Sequence, residues 1–353
     1  MDQGQGFVLA ILGGLLMGSF SLPMKKTVRW AWENTWLVWA VIALIIVPWT
    51  VASITVPGLL SLYARSGTKT LAMVFLLGVG WGLGAVTFGQ SISILGMSLA
   101  FAISIGLTLA LGALIPMARS PEDFLTSSGL VVTGGVLLMI AGVIVSAAAG
   151  HRKEVQIKLA GEGGGEAAKP ETAGQFGKGL TLCILSGIFN PMLNFASTFA
   201  GGIKDAAKAA GISEGGASDA IWAVALLGGF ASNLIYCAVL LSRNKTWSNY
   251  RREGTGSHWP LVLIMGVSWP LSVTIYGRAV GMLGSLGYSA GWAITMGCCI
   301  VASNVWGIAL GEWRQAKGRP LRTMYAGLAV ILLAIAVIGL GNGLAPEETP
   351  AAR

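Results

Sequence analysis

Charged side chains are scarce in this sequence of 353 residues: Asp, Glu, Lys and Arg make up 11% of it, whereas hydrophobic residues make up 54%. A soluble globular domain carries about twice that share of charge. Long apolar runs with few charges indicate membrane spans, because about 20 apolar residues cross the hydrocarbon core of a bilayer. The net charge of +8 lies mostly in short loops between these runs. It therefore serves to orient the chain in a membrane and does not indicate nucleic-acid binding.

A complete catalytic or metal-binding set of residues is absent as well. The sequence contains no GxxxxGK[ST] loop and no HExxH, and no pair of carboxylates at helical spacing lies in an apolar run. Its two GxSxG strings, Gly211–Gly215 and Gly287–Gly291, lie at or just before the start of an apolar run, and both histidines, His151 and His258, lie in polar loops elsewhere. The four cysteines lie inside apolar runs, where they act as small hydrophobic residues, and none belongs to a CxxC pair: Cys183, Cys237, Cys298 and Cys299. We therefore expect neither an enzyme nor a protein that holds a metal or another cofactor.

Acidic residues are missing from the centres of the apolar runs. The nearest acids, Glu33, Asp219 and Glu312, lie at the ends of predicted spans. A proton-coupled transporter usually keeps a protonatable group inside its helix bundle. Either an acid at a span end carries coupling, or the protein is not coupled to protons. Arg278, near the end of the eighth span, either extends to the membrane interface or binds substrate or one of these acids.

Hydropathy predicts ten membrane spans. They cover about 7–24, 35–54, 70–93, 97–117, 128–149, 178–199, 220–242, 259–281, 288–311 and 323–342. The polar stretch 150–177, rich in Gly and Glu, cannot bury a core and predicts a flexible linker between a first five-helix repeat, 1–149, and a second, 178–353. The segment from Ile203 to Ile212 has the spacing of a short amphipathic surface helix.

The two halves of the chain resemble each other. A stretch around Trp81 matches a stretch around Trp269 at a constant offset of 188 positions. The residues of the first stretch that recur identically are Gly78, Val79, Trp81, Leu83, Gly89, Leu95 and Gly96. A second match pairs 16–21 with 185–190. Gly-rich apolar helices can resemble one another by composition alone, but two matches in the same order favour a true repeat.

An odd number of spans, five, separates the two copies and inverts one relative to the other. The sequence therefore predicts an all-α integral membrane protein with ten transmembrane helices as two inverted five-helix repeats. Such carriers bind substrate near the bilayer midplane, between the repeats. Lys and Arg are concentrated in the loops that follow odd-numbered spans, so the positive-inside rule places both termini in the periplasm. Two repeats in one chain make a monomer sufficient.

Neutral polar and aromatic residues occupy the middle of the spans. Asn190 and Asn194 are four residues apart, which predicts one helix face, and Pro191 between them weakens the backbone ladder as in the broken helices of transporters. The predicted substrate-binding residues are Asn190, Asn194, Trp81, Trp269, Ser21, Gln90, Tyr276, Trp292 and Asn304. Amides bind hydroxyl groups and a Trp face takes the C–H surface of a pyranose ring, so this set suits a sugar or polyol.

Purely structural roles are the alternative for these residues. An intramembrane Asn also forms hydrogen bonds between helices, and a buried Trp also packs as core. Tryptophans near span ends are predicted to be interfacial anchors. These are Trp30, Trp32, Trp36, Trp259 and Trp313.

Five segments spread over nearly the whole chain have a distinctive sequence: Pro23-Met24-Lys25-Lys26, Trp30-Ala31-Trp32-Glu33-Asn34-Thr35-Trp36, Trp81-Gly82-Leu83-Gly84, Leu95-Gly96-Met97-Ser98 and Glu312-Trp313-Arg314. These segments resemble the bacterial L-rhamnose–proton symporter family. The resemblance implies membership of the drug/metabolite transporter superfamily, alternating access, and rhamnose uptake with a proton across the bacterial inner membrane. Enteric members carry an acid just before the tryptophan of the ninth span, whereas this chain has Ala290-Gly291-Trp292 there.

These observations lead to an importer of L-rhamnose or a closely related neutral sugar that resides in the lipid bilayer of the inner membrane. Its coupling candidates are Glu33, Asp219, Glu312 and Arg278. Two alternatives stay open. One is a carrier or exporter of the same fold that moves another neutral metabolite without protons. The other is a membrane-embedded sensor or scaffold.

Overall fold

The structure is a computed structural model, and it describes residues 3–95, 100–101, 103–109, 111, 125–161, 173–284, 290–311, 313–314 and 318–344. Its regular elements are helical. The first half contains α1 Gln3–Ser19, α2 Trp32–Val41, α3 Val47–Thr55, α4 Leu59–Arg65, α5 Thr68–Leu95 and α6 Ser127–Gly161. The second half contains α7 Ala173–Phe189, α8 Met192–Thr198, α9 Gly201–Ala209, α10 Glu214–Arg243, α11 His258–Met282, α12 Trp292–Ala309 and α13 Arg319–Gly343.

Nine stretches within the described residues are long and apolar enough to cross a membrane. They are Gln3–Lys26, Trp32–Thr55, Thr68–Ile92, Ser127–Lys153, Gly177–Ala209, Glu214–Arg243, His258–Met282, Trp292–Ala309 and Arg319–Gly341. Each overlaps a predicted span. The predicted fourth span, 97–117, lies largely outside the described residues, although 100–101, 103–109 and 111 are helical. The count of ten therefore stays a prediction.

The outward faces of these helices are apolar. Leu76, Leu137, Ile235 and Leu333 each expose more than half of their surface. In water such a surface would drive aggregation, whereas in a bilayer it lies against lipid tails. The molecule is therefore a multi-pass membrane protein.

Glycines allow the helices to approach each other closely. α5 packs along α10, and α1 packs along α11 and α12. A Cβ atom at Gly78 would lie 1.8 Å from the carbonyl oxygen of Ala225 in α10, and one at Gly14 would lie 2.3 Å from that of Thr295 in α12. No side chain fits at either contact, so glycine sets the distance between these backbones.

Two helices are interrupted at matching places in the two halves. α1 ends at Ser19 and is followed by a 3₁₀ turn, Leu22–Lys26, that contains Pro23. α7 ends at Phe189, and α8 begins after Pro191. Proline lacks the backbone N–H that would continue the ladder, which explains both interruptions. The predicted break near Pro191 is therefore present in the structure.

The predicted linker has helical ends. α6 continues to Gly161 and α7 begins at Ala173, while 162–172 lie outside the described residues. The division into domains stays a prediction. The predicted surface helix is present as α9, which buries Ile203 and Ala207 and exposes Asp205.

Candidate functional site

A cavity lies in the middle of the bundle, between helices of the two halves. The space open to the centres of water molecules is about 80 Å³, several times the roughly 10–15 Å³ that one water requires. Its lining residues are Met17, Phe20, Trp36, Trp39, Trp81, Ala85, Phe88, Phe101, Ile105, Thr108, Asn190, Leu193, Trp222, Trp269, Val273, Tyr276, Trp292, Met296 and Cys299. None of these described lining residues is Asp, Glu, Lys or Arg, so the site suits an uncharged ligand.

Two tryptophans from equivalent positions of the sequence repeat meet at the cavity. The rings of Trp81 in α5 and Trp269 in α11 stack with 5.1 Å between centroids and 26° between planes. Trp39 contacts Trp269 edge-on, with 5.7 Å between centroids. Each of the three side chains is nearly buried. The structure thus brings the two predicted tryptophans together at one wall of the cavity.

The prediction that Trp36 is an interfacial anchor is wrong. Trp36 is only 3% exposed and lines the cavity. Its indole N–H donates to Oδ1 of Asn233 at 2.8 Å, and its ring stacks on Trp32 with 5.0 Å between centroids. Because α10 supplies that acceptor, Trp36 points into the bundle and away from lipid.

Two further tryptophans at span ends are also buried: Trp30 is 6% exposed and Trp313 is 2% exposed. Trp30 packs against Tyr250 and Trp259, and Lys153 lies 5.2 Å from the Trp313 ring centroid. Of the predicted anchors, Trp259 is the one with a substantially exposed side chain, at 46%. That exposure fits an interfacial position.

Asn190 lies at the break between α7 and α8 and lines the cavity. Its side-chain Nδ2 donates to Oγ of Ser186 at 2.8 Å. That bond uses one of the two amide hydrogens of the side chain. Ser21, its counterpart in the first half, has a buried hydroxyl without a hydrogen-bond partner and is not among the residues that line the cavity.

Asn194 and Tyr276 form a pair behind the cavity wall. The Tyr276 hydroxyl donates to Oδ1 of Asn194, and Asn194 is fully buried. Tyr276 lines the cavity, whereas Asn194 does not. Of the two amides predicted to share one helix face, Asn190 lies at the break at 190–191 and Asn194 lies beyond it in α8, and only Asn190 reaches the cavity lining.

The remaining predicted binding residues divide between cavity and helix contacts. Trp292 lines the cavity, and its indole N–H donates to the Thr108 carbonyl at 3.4 Å. Gln90 and Asn304 are not among the lining residues. Asn304 donates to the Ile300 carbonyl of its own helix at 2.9 Å. The structure therefore gives Asn304 a local bond in α12 and no place at the cavity.

Trp39 and Trp222 are lining residues that the sequence reasoning did not single out. Both carry a buried indole N–H without a hydrogen-bond partner. A buried donor left unpaired costs about 1–3 kcal/mol. A hydrogen-bond acceptor on a bound ligand would remove that cost. The 32, 36, 39 spacing of tryptophans on one helix face was the available signal for Trp39.

The coupling candidates lie at the ends of the bundle. Asp219 is buried and accepts from Arg278 at 3.0 Å, so the reading in which Arg278 binds an acid at a span end agrees with the geometry. Glu33 accepts from Nδ2 of Asn244 at 3.0 Å and from the hydroxyl of Thr246 at 2.8 Å. Glu312 lies outside the described residues.

The family model for the L-rhamnose-proton symport protein matches residues 4–344. The chain belongs to this family. Relatives named L-rhamnose-proton symporter occur in Citrobacter koseri and in Enterobacter sp. strain 638. Each is 28% identical over 346 residues, which cover 95% of this chain and 97% of the relative. A symporter of the same name in Escherichia coli O1:K1 is 28% identical over 348 residues.

Membership of the L-rhamnose–proton symport family confirms two predictions. The family consists of transporters and not enzymes, as the lack of a complete catalytic set indicated. Its members and the apolar helices agree on a multi-pass protein of the inner membrane.

Proposed function

We propose that the protein is a secondary active transporter that imports L-rhamnose or a closely related neutral sugar, with protons, across the inner membrane. The observation that carries this proposal is the central cavity, which is aromatic, uncharged and lined by both halves of the chain. The names of the relatives give the sugar and the coupling ion.

The chemistry of the cavity fits a deoxy sugar. The C–H face of a pyranose ring and the methyl group of a 6-deoxy sugar are apolar, and the faces of Trp81, Trp269 and Trp39 offer matching surfaces. The free amide hydrogen of Asn190 and the hydroxyl of Tyr276 are the polar groups at this wall that meet hydroxyls. A small number of placed polar groups in an apolar pocket is the usual design of a small-molecule site.

We also propose the two inverted five-helix repeats, the drug/metabolite transporter superfamily and alternating access. The packing supports them, because equivalent helices make equivalent contacts. α1 packs on α11, and its repeat counterpart α7 packs on α5. Phe88 and Tyr276, equivalent in the repeat, both line the cavity, as do Trp81 and Trp269. Rocking of one repeat against the other would open the cavity to each side in turn.

The proposed orientation puts both termini in the periplasm. In that orientation Glu33 lies at the cytoplasmic end of the bundle, and Asp219 and Arg278 lie at the periplasmic end. Reporter fusions to the C-terminus test the orientation: a periplasmic reporter is expected, and a cytoplasmic one would reverse it.

Ligand binding can be tested by the tryptophan fluorescence of the purified protein, since six tryptophans line the cavity. L-rhamnose is expected to change the fluorescence saturably, and L-mannose, which adds one hydroxyl at C6, is expected to bind more weakly. Sucrose serves as the osmotic control. A rhamnose response that is linear and equal to that of sucrose would reject this ligand and favour a carrier of another neutral metabolite, an alternative that the lack of acids in the cavity lining also permits.

A further inference from the structure

Asp219 of α10 and Arg278 of α11 form an ion pair close to the cavity. Nη2 of Arg278 lies 3.0 Å from Oδ2 of Asp219. The Asp219 side chain is 1% exposed, whereas the Arg278 side chain is 37% exposed. The acid is thus sealed inside the protein, and the cation that neutralises it reaches the surface.

A small crevice next to Asp219 shares part of its wall with the cavity. Asp219 lines the crevice, and Trp222 and Val273 line both the crevice and the cavity. Asp219 and Trp222 are three residues apart on α10, so they lie on one helix face. A ligand that displaces Trp222 in the cavity therefore acts on the wall next to the carboxylate.

The surroundings of Asp219 offer little other compensation for its charge. From α3 the hydroxyl of Thr55 lies beside the carboxylate, and from α11 the guanidinium of Arg278 pairs with it. On α10 itself the other acid nearby is Glu214, which packs against Gly281. The remaining described residues of the crevice are uncharged: Pro48, Val51, Trp222, Leu226, Pro270, Val273 and Thr274.

We propose that Asp219 is the residue that binds the transported proton, and that it does so when sugar in the cavity separates it from Arg278. This inference rests on the proposed function. The Asp219 carboxylate takes one proton from the solution at its end of the bundle and becomes a carboxylic acid. Arg278 keeps its charge and turns to solvent, so the pair changes from a net charge of zero to +1. When the pair forms again, the proton leaves to the opposite side.

The physical reason for coupling is the difficulty of keeping a lone charge buried. Parting Arg278 from Asp219 without a proton leaves an uncompensated carboxylate among apolar side chains, which is strongly unfavourable. Protonation removes that charge, so sugar and proton favour each other's binding by the same factor. An acid outside the sugar site thus explains how proton transport is coupled to sugar transport, although the described lining of the cavity contains no acid.

The test compares exchange with accumulation in proteoliposomes. Labelled L-rhamnose exchange is measured without an ion gradient, and accumulation is measured with a pH gradient of about one unit, alkaline inside. For one proton per sugar the gradient supports about tenfold accumulation. Asp219→Asn is expected to exchange sugar but to reach only the external concentration. Asp205→Asn, which changes an exposed acid on α9, is the matched control and is expected to accumulate like the original chain.

The outcomes separate this inference from the proposed function. If the unaltered protein does not exchange rhamnose, the proposed function fails. If the unaltered protein exchanges rhamnose and the Asp219→Asn variant still accumulates it about tenfold, the role of Asp219 is refuted. The Glu33→Gln variant is measured alongside, and loss of accumulation in that variant identifies Glu33 as the proton site. If Asp219→Asn is inactive, the double variant with Arg278→Gln removes both charges. Recovered exchange without accumulation supports the inference, whereas recovered accumulation or no recovery overturns it.

Discussion

Trp269 contacts two other tryptophans of the cavity, so its substitution tests the aromatic wall directly. Its ring stacks on Trp81 and receives the edge of Trp39. A ligand bound at this wall of the cavity must contact the same aromatic rings. The residue therefore affects both the shape of the cavity and the surface offered to the proposed sugar.

Trp269→Phe is expected to weaken L-rhamnose affinity about three- to tenfold, because the smaller ring loses part of an aromatic contact with a value of about 0.5–1.5 kcal/mol. Titration of the purified variant measures the affinity. Trp259→Phe, at the half-exposed start of α11, should leave it unchanged. Equal affinity in both variants would remove Trp269 from the site.

Asn190→Ala is expected to lower rhamnose affinity by about three- to tenfold, the size of one lost hydrogen bond of about 0.5–1.5 kcal/mol. Asn304→Ala is the matched control, since Asn304 is another buried amide with one bound donor that does not line the cavity. Binding curves of the two variants show which of the two asparagines contributes to rhamnose affinity. A loss of affinity in Asn304→Ala with none in Asn190→Ala would contradict the placement of both residues.

Sequence reasoning found the cavity residues that carry a repeat or a polar group, such as Trp81, Trp269 and Asn190. It did not find Trp222, because an isolated tryptophan in an apolar run has the same pattern whether it packs as core or faces a cavity. It placed Asn194 on the face of Asn190 but could not show that only Asn190 lines the cavity, since the exact end of α7 depends on tertiary packing around the proline. It offered an acid at a span end as one possible partner of Arg278, but no local pattern singles out Asp219, because the two residues lie on different helices.

Close contact between α5 and α10 is the main feature of the bundle at the scale of helices. It depends on Gly78, where a Cβ atom would overlap the carbonyl of Ala225. α5 also carries Trp81 into the cavity, three residues later. A change in the distance between these helices would therefore move one wall of the site.

Gly78→Ala is expected to destabilise the protein by several kcal/mol, because backbone atoms of α10 cannot move aside as a flexible side chain would. Gly134→Ala in α6 has open space around its Cβ position and is expected to be neutral or stabilising by up to about 1 kcal/mol. Thermal unfolding in detergent measures both. A Gly78→Ala protein as stable as Gly134→Ala would refute the tight contact.

Hydropathy located the nine candidate spans because each must cover the same thickness of hydrocarbon. It could not show that α6 continues to Gly161, beyond the predicted end of the fifth span at 149. Polar residues that extend a helix into water carry no hydrophobic signal. Helix ends set by proline were predictable, and ends set by solvent were not.

On the scale of the whole molecule, two halves that share matching stretches of sequence meet at an aromatic cavity whose described lining carries no charge. Trp81 and Trp269, which are 188 positions apart and lie in the two matching stretches of the sequence, stack at this cavity. An acid and its partner lie at one end of the bundle, outside the cavity. The proposed sugar site and the proposed proton site are therefore formed by different residues.

The most direct measurement is counterflow of labelled L-rhamnose in proteoliposomes that contain the purified protein and no ion gradient. Counterflow requires only that the site bind sugar and face both sides in turn, so it does not depend on which residue binds protons. We predict transient accumulation of label, which excess unlabelled L-rhamnose abolishes and Trp269→Phe reduces. Label that merely equilibrates as it does in liposomes without protein would contradict rhamnose transport.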